Sequence, residues 1–301
     1  MVTDPGSMHS FVKTCAGVMA SSFLLSKGRK LFELNSQKWT LPMSKWDKLL
    51  AGCYIILKDC SEGRFPPTFD DQAKAQSAEV DYNESLPGVS FAEHQQSHAR
   101  KPFWGPDVFQ KYAKNFARLL RVFNQLGLKP GSRLLELGCG VGWMAEFLAV
   151  SGYSVVGTTI APNDIQIAEK RAEAFRVRGL PELLDFQISP MEMVDTAFEA
   201  PGDFEGAYVF EALHHAFDWR AGIRASYDCL KPGGWLVLAN EPNLLHTFIS
   251  YRVARLSNTH EIGMSRKRIL AEMRRCGFTE TVVVGPRFND LVTPHWIAAH
   301  K

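Results

Sequence analysis

Leu134-Leu135-Glu136-Leu137-Gly138-Cys139-Gly140-Val141-Gly142-Trp143 is the stretch that decides the fold of this chain. An apolar run closes on one acidic residue and then on three alternating glycines, the pattern of a buried parallel strand that turns sharply into a helix. Glycine has no Cβ, so the backbone at Gly138, Gly140 and Gly142 can take positive φ and let a ligand lie against bare peptide. In an open α/β sheet, such a turn at the carboxyl end of a strand is where a nucleotide-like cofactor sits. The stretch defines a site before it defines a reaction.

Working outward, helix and strand patterns alternate from Asp107 to the end of the chain. An apolar helical spacing through Val108, Tyr112, Phe116, Leu119-Leu120 and Phe123 stops at Gly127, and Lys129-Pro130-Gly131 turns into the strand Arg133 to Leu137. A helix from about Val141 to Ser151, a strand at Ser154 to Gly157, a helix at Asn163 to Val177 and a strand at Leu183 to Ile188 follow. Next come the strand Gly206 to Phe210, the helix Trp219 to Leu230 and, after Lys231-Pro232-Gly233-Gly234, the strand Trp235 to Ala239. Alternation of this kind predicts a parallel sheet with helices on both faces. The tail differs: after the helix Arg266 to Cys276, the strands Thr281 to Val284 and Trp296 to Ala299 are joined by a loop alone, which predicts an antiparallel addition. The expected fold is therefore α/β, a doubly wound, mostly parallel seven-stranded sheet with a reversed terminal strand. Residues 107–301 are assigned to this domain.

Residues 1–106 read as an N-terminal α-helical appendage followed by a lid or linker. Helix-like spacing runs through Phe23, Leu24, Leu31 and Leu34, then Trp46, Leu49, Leu50, Cys53 and Ile56-Leu57. From 61 to 106 the chain is richer in Pro, Gly, Ser and acidic residues, which predicts a long connection. Its end carries Phe91, His94, His98, Lys101, Phe103 and Trp104, side chains suited either to docking the appendage or to lining a substrate pocket. Asp4-Pro5-Gly6-Ser7 ahead of Met8 reads as an added leader over residues 1–7. The run Cys15 to Leu25 is interrupted by Ser21 and Ser22 and closed by Lys27, Arg29 and Lys30, an amphipathic helix rather than a signal peptide.

Composition narrows the function classes. With 301 residues, 46% hydrophobic and 22% charged, the chain can bury a substantial core. A formal charge of +2 with dispersed Lys and Arg excludes a nucleic-acid footprint, and the patch Arg266-Lys267-Arg268 with Arg274-Arg275 reads as a solvated helix face. The six cysteines show no CxxC pair and no metal-ligand spacing, so no metal is expected and a reduced, cytoplasmic protein is the simpler reading. No run of about 18 apolar residues exists to span a membrane. Oligomeric state is not legible.

Glu136-Leu137-Gly138-Cys139-Gly140-Val141-Gly142 resembles the first motif of class I, Rossmann-like S-adenosylmethionine-dependent methyltransferases, and Leu230-Lys231-Pro232-Gly233-Gly234-Trp235-Leu236 resembles their turn before the fifth strand. The two lie about 95 residues apart, as that family places them, and the resemblance covers about residues 107 to 301. It implies S-adenosylmethionine as cofactor, with Glu136 near the amino group and the backbone of Gly138, Cys139, Gly140 and Gly142 beside it. A nicotinamide site would carry GxGxxG, whereas here the third glycine falls one position earlier. Where the family has an acidic residue for the ribose hydroxyls, this chain has Gly157-Thr158-Thr159-Ile160-Ala161-Pro162, a form similar to tocopherol, sterol and cyclopropane-fatty-acid methyltransferases. Thr158 and Thr159 are thus carried over as cofactor residues, with Met191 and Glu192 flanking the adenine and Glu211 at the end of the fourth strand.

Methyl transfer is dominated by positioning, and a hydroxyl acceptor gains from a nearby base. Glu211-Ala212-Leu213-His214-His215 leaves the sheet at its carboxyl edge and offers His214 first and His215 second, either as base or as a brace for the loop. Glu241 ends the fifth strand and is a third catalytic candidate. His94, His98, Trp104 and Tyr112, with His246 and Tyr251 from an insertion over Leu244 to Gly263, are expected to form an aromatic substrate pocket. The reading is a methyltransferase acting on an O or N atom of a small molecule, a lipid or a sugar. Carbon methylation, or a non-catalytic cofactor-binding protein whose partner meets the helical region, are the alternatives.

Overall fold

A computed structural model describes residues 5–39, 41–66, 71–84, 88–198, 202–284 and 293–301; residues 1–4 of the expected leader lie outside the described residues. The chain forms two compact units, residues 1–94 with 243–263, and residues 95–242 with 264–301.

In the first unit, α1 (Pro5–Val18), α2 (Ser22–Gln37), α3 (Lys45–Ser61) and α4 (Gln72–Glu84) precede α5 (Phe91–Ala99), inside which the unit boundary falls. Ser21 caps α2 by accepting from the Leu24 N–H, and Ser44 with Asp47 forms a reciprocal capping box on α3. The centre of α3 is buried at Leu50, Ala51, Gly52, Cys53, Ile55 and Ile56. Segment 61–106, expected to be a long connection, instead contains α4 and half of its length is helical through α5. Its Ala, Gln and Glu residues favour helix by propensity, but no apolar stripe announces it.

After α6 (Pro106–Gln125), α7 (Trp143–Val150), α8 (Pro162–Val177) and α9 (Trp219–Cys229) of the second unit, α10 (Thr247–Ser257) returns to the first. It crosses α3 so closely that a Cβ on Gly52 would stand 1.8 Å from the Phe248 carbonyl oxygen. Phe248 and Tyr251 join Phe11, Leu50, Ile56 and Phe65 in one core. The Tyr251 hydroxyl donates to Asp59 at 2.8 Å, and Arg255 meets the same carboxylate at 2.8 Å. Tyr251, expected from its place in the insertion to line a pocket, is fully buried in the core of the helical unit.

The second unit is a seven-stranded sheet: β1 (Arg133–Leu137), β2 (Ser154–Thr159), β3 (Leu184–Ile188), β4 (Phe204–Phe210), β5 (Leu230–Glu241), β6 (Glu280–Val283) and β7 (His295–His300). The strand order is β3-β2-β1-β4-β5-β7-β6, with β7 antiparallel to both neighbours. Successive residues alternate between two cores: Leu134, Tyr208 and Val237 pack with α6, α7 and α8, while Leu135, Ala207 and Leu236 pack with α9 and α11 (Arg266–Cys276). Because β1 lies between β2 and β4, the chain reverses its direction of winding at the end of β1. That crevice is where doubly wound sheets bind ligands. Among the described residues, no helix is long and apolar enough to cross a membrane.

Gly142 caps α7 at φ 72°, and a Cβ there would stand 2.4 Å from Phe186 Cζ. Its open face is therefore filled by β3, so this glycine serves helix-on-strand packing rather than the ligand side expected of it. Gly142→Ala combines left-handed strain with overpacking, and chemical denaturation should show a loss of about 2–4 kcal/mol.

Candidate active site

The turn from β1 into α7 places a carboxylate where water cannot reach it. Glu136 is 3% exposed, and its Oε2 has no hydrogen-bond partner. Burial pushes this carboxyl up to about 8, against the opposing influence of the neighbouring Tyr208 hydroxyl, the Ala145 N–H and Lys101. The Tyr208 hydroxyl is itself buried and without a partner of hydrogen-bonding geometry. An unpartnered carboxylate oxygen in a dry site is costly unless a ligand completes it.

The glycines shape what lies above it. Gly138 has φ 69°, and a Cβ there would meet Ala212 at 2.7 Å and Met191 Cε at 3.1 Å, so those side chains close one side of the turn. A Cβ at Gly140 would meet only Asp164 Oδ2, at 3.6 Å, which leaves an acidic face beside open backbone. Asp164 is 3% exposed, and its Oδ1 lies 3.2 Å from His98 Nδ1. Glu211, at φ 50°, receives Asn240 Nδ2 and lies 3.6 Å from Lys111 Nζ.

Lys101 stands among these three carboxylates. Its Nζ lies 5.4 Å from the Trp104 ring centroid and 5.7 Å from that of Tyr112, a two-ring cation–π seat. Burial pulls its ammonium down, while Glu211, Asp164 and Glu136 act to raise it. Arg171 anchors the strand of chain beneath by donating to the Lys101 carbonyl at 2.8 Å. Tyr112 packs edge-on against Trp143 at 4.9 Å, so the seat is continuous with the glycine turn. The ligand-free site thus holds a cation of its own beside its acidic residues.

Other expected cofactor residues take different places. Thr158 is fully buried, and its hydroxyl donates to the Glu136 carbonyl at 3.2 Å, which ties β2 to β1. Thr159 accepts from the Ala161 N–H at 3.3 Å, which fixes its hydroxyl at the strand end. The Cys139 side chain is buried toward Gly157, leaving only its backbone in the turn, where its N–H donates to the Thr158 carbonyl at 2.8 Å. Glu192 accepts from the Asp218 N–H at 3.0 Å and ties its 3-10 turn to the start of α9.

At the ends of β4 and β5 a second buried carboxylate organises the histidines. Glu241 is fully buried and accepts from the Ala212 N–H at 2.8 Å, the Leu213 N–H at 3.1 Å and the His214 N–H at 3.3 Å. Its Oε2 also lies 3.0 Å from His214 Nδ1. Burial alone would raise this carboxyl, but His214 and the Ala212 and Leu213 N–H groups outweigh it and hold it below the usual range. With these four contacts the Glu241 carboxylate, expected as a catalytic candidate, is engaged in holding the turn that carries His214. By engaging Nδ1 it makes Nε2 the acceptor nitrogen of neutral His214. His215 lies beside it, ring centroids 4.1 Å apart, and is half-buried.

Of the expected pocket residues, His98, Trp104 and Tyr112 belong to the unit that holds this site, whereas His94, His246 and Tyr251 belong to the helical unit. Lys101, Asp164 and Tyr208 were not singled out from the sequence as site residues. Asp164 looks like any acidic residue in a helix's first turn, and Tyr208 like any aromatic in a buried strand.

The residues present fit an S-adenosylmethionine-type ligand: the orphaned Glu136 oxygen suits an ammonium, and the bare Gly140 backbone admits close approach. Comparison with known proteins agrees. The chain belongs to the methyltransferase-domain family, whose profile matches residues 105–289. It is an S-adenosylmethionine-dependent methyltransferase of class I fold. It is 28% identical over 211 residues to the ubiquinone biosynthesis O-methyltransferase of Bordetella bronchiseptica, over 66% of this chain and 84% of that protein. In fold it is similar to the magnesium protoporphyrin IX methyltransferase of Synechocystis (TM-score 0.54, 16% identity, 75% of this chain and 99% of that one). It is also similar to phosphoethanolamine N-methyltransferase 2 of Haemonchus contortus (TM-score 0.52, 18% identity, 74% and 59%).

Since its folded value stands near 8 and its ordinary value at 4.5, Glu136 keeps a proton at neutral pH, and the stability tied to that proton is full below about 4.5 and falls progressively as pH rises to 8. A cationic donor group requires that proton to leave. Calorimetry of S-adenosylmethionine binding in buffers of different ionisation enthalpy should show about one more proton released by wild type than by Glu136→Gln below pH 8, the difference vanishing above it. Equal proton release by the two proteins would count against Glu136 as the ammonium partner.

Proposed function

We propose that this enzyme methylates a hydroxyl oxygen of a small organic molecule, with His214 as general base, Glu241 as its positioning partner and Glu136 as the anchor of the donor's amino group. The observation that carries the reading is the buried His214–Glu241 pair at the carboxyl ends of β4 and β5, next to the turn that ends β1. The O-methyltransferase named above, which this chain resembles over most of that protein's length, favours oxygen over nitrogen or carbon as the acceptor atom.

S-adenosylmethionine supplies, when bound, a methyl group made electrophilic by its sulfonium. The protein's own work is alignment and proton removal. His214 Nε2 accepts the proton of the acceptor hydroxyl, and the resulting imidazolium is stabilised through Nδ1 by the Glu241 carboxylate. The 3-10 turn Leu213–His215 is held in place because Glu241 binds three successive N–H groups at its start, so the base is fixed before the acceptor arrives. Lys101, seated on Trp104 and Tyr112, places a cation beside the acidic residues and would meet the donor's carboxylate. The six cysteines are all unpaired, which supports a reducing, cytoplasmic setting.

Release of S-adenosylhomocysteine, measured against a panel of hydroxyl, amine and activated-carbon acceptors, tests the acceptor atom. Turnover confined to amines or carbon nucleophiles would refute the oxygen reading. With a hydroxyl acceptor, His214→Ala should lower kcat by roughly 10²–10⁴-fold with donor affinity retained. Glu241→Gln should lower it by about 10–100-fold and change the pH profile, whereas His215→Ala should stay within a few-fold of wild type.

A further inference from the structure

The helical unit carries a cleft of its own, about 800 Å³, lined by Trp39, Leu41, Pro42, Met43, Lys48 and Arg252 among others. The connection between α2 and α3 supplies an apolar wall, and α3 and α10 supply two cations. Arg252 is 8% exposed; one terminal nitrogen donates to Asn35 Oδ1, its guanidinium lies 5.5 Å from the Trp39 ring centroid, and its Nε has no hydrogen-bond partner. Asn35 is itself fully buried and donates to the Trp39 carbonyl at 3.3 Å, so one side chain fixes both the arginine and the backbone that bears the aromatic wall. Lys48 has no ion-pair partner among the described residues. Burial, then Arg252 and Lys45, depress its ammonium.

Among the described residues, no carboxylate lines this cleft. Tyr82, whose hydroxyl burial pushes up, and Glu261 act to favour the charged form of Arg252 against the larger effect of its burial. A nine-tenths-buried guanidinium with an unmade hydrogen bond, next to a second unpaired cation, is an expensive arrangement for a fold to keep without a counter-charge. The volume is that of pockets that enclose a small organic ligand, and an inorganic ion would leave the wall of Trp39, Leu41, Pro42 and Met43 uncovered.

We propose that this cleft binds a small amphipathic anion, a carboxylate or phosphate monoester on an apolar body, with its oxygens on the Arg252 guanidinium and Lys48 Nζ and its body against Trp39, Leu41 and Met43. The site is separate from the methyl-donor site and does not depend on the reading of that site.

Calorimetry of the full chain with octyl phosphate, octanoate, octanol and inorganic phosphate tests it. Saturable one-to-one binding of the two amphipathic anions is expected, with octanol and inorganic phosphate each weaker by roughly tenfold or more. Lys48→Ala and Trp39→Ala should each weaken octyl phosphate by roughly tenfold while S-adenosylmethionine affinity, titrated in the same preparations, is unchanged. Arg252→Gln should abolish it, and if that variant does not fold, the Lys48 and Trp39 variants decide the matter. Equal affinity for octanol, indifference to Lys48→Ala, or no saturable binding would overturn the proposal. So would sedimentation with phosphatidylglycerol vesicles that octyl phosphate fails to displace, which would assign the cations to a membrane surface instead.

Discussion

A carboxylate that the fold buries without completing its hydrogen bonds is the constraint on which the catalytic unit depends. Glu136 stands one residue before the end of β1, in register with Gly157 of β2 and Tyr208 of β4, at the point where the winding of the sheet reverses and a turn of glycines at positive φ leads into the next helix. Strand β1 is buried along nearly its whole length because helices cover both faces of the sheet. That burial raises Glu136 and favours its protonated form, while nearby Lys101 acts in the opposite direction. An ammonium brought to the orphaned oxygen would replace that proton.

Glu241 shows the opposite solution to the same problem. It is buried as completely as Glu136, yet the fold surrounds it with backbone donors and His214, and it stays ionised. Two carboxylates at the carboxyl ends of neighbouring parts of one sheet are therefore driven in opposite directions by their surroundings. One keeps an unpartnered oxygen and the other holds the His214 turn in place; in the proposed mechanism this divergence separates donor binding from proton transfer.

What the sequence made legible follows from which physical signals are local. The strand-turn-helix at Glu136 to Trp143, the alternation that follows and the reversed last strand are all written in short-range spacing, and the candidate residues Glu136, Gly138, Gly140 and His214 are placed by it. Thr158 and Gly142 were misplaced because sequence position along a strand or turn does not reveal which neighbour fills the space; Phe186 fills it for Gly142, and the Glu136 carbonyl takes the Thr158 hydroxyl. Tyr251 was misread because a buried aromatic on a helix has the same spacing whether it lines a pocket or a core. Lys101 was quoted only as part of an aromatic stretch, since a lysine near two aromatics in sequence gains meaning only when three distant carboxylates converge on it.

The two units share one rule of construction. Each buries an ionisable side chain with one polar atom left unpartnered, Glu136 Oε2 in the sheet unit and Arg252 Nε in the helical unit. Stability does not require either. Apolar packing around β1 and around α3 is extensive enough to hold each core, and an apolar replacement at either position would remove a desolvation penalty. Opposite signs then imply opposite ligands: a cation for the acidic pocket of the sheet, an anion for the basic cleft of the helices. The sequence displays Glu136 because it sits in a motif, and hides Arg252 because it sits in none. Only burial and an unmade hydrogen bond put the two on the same footing.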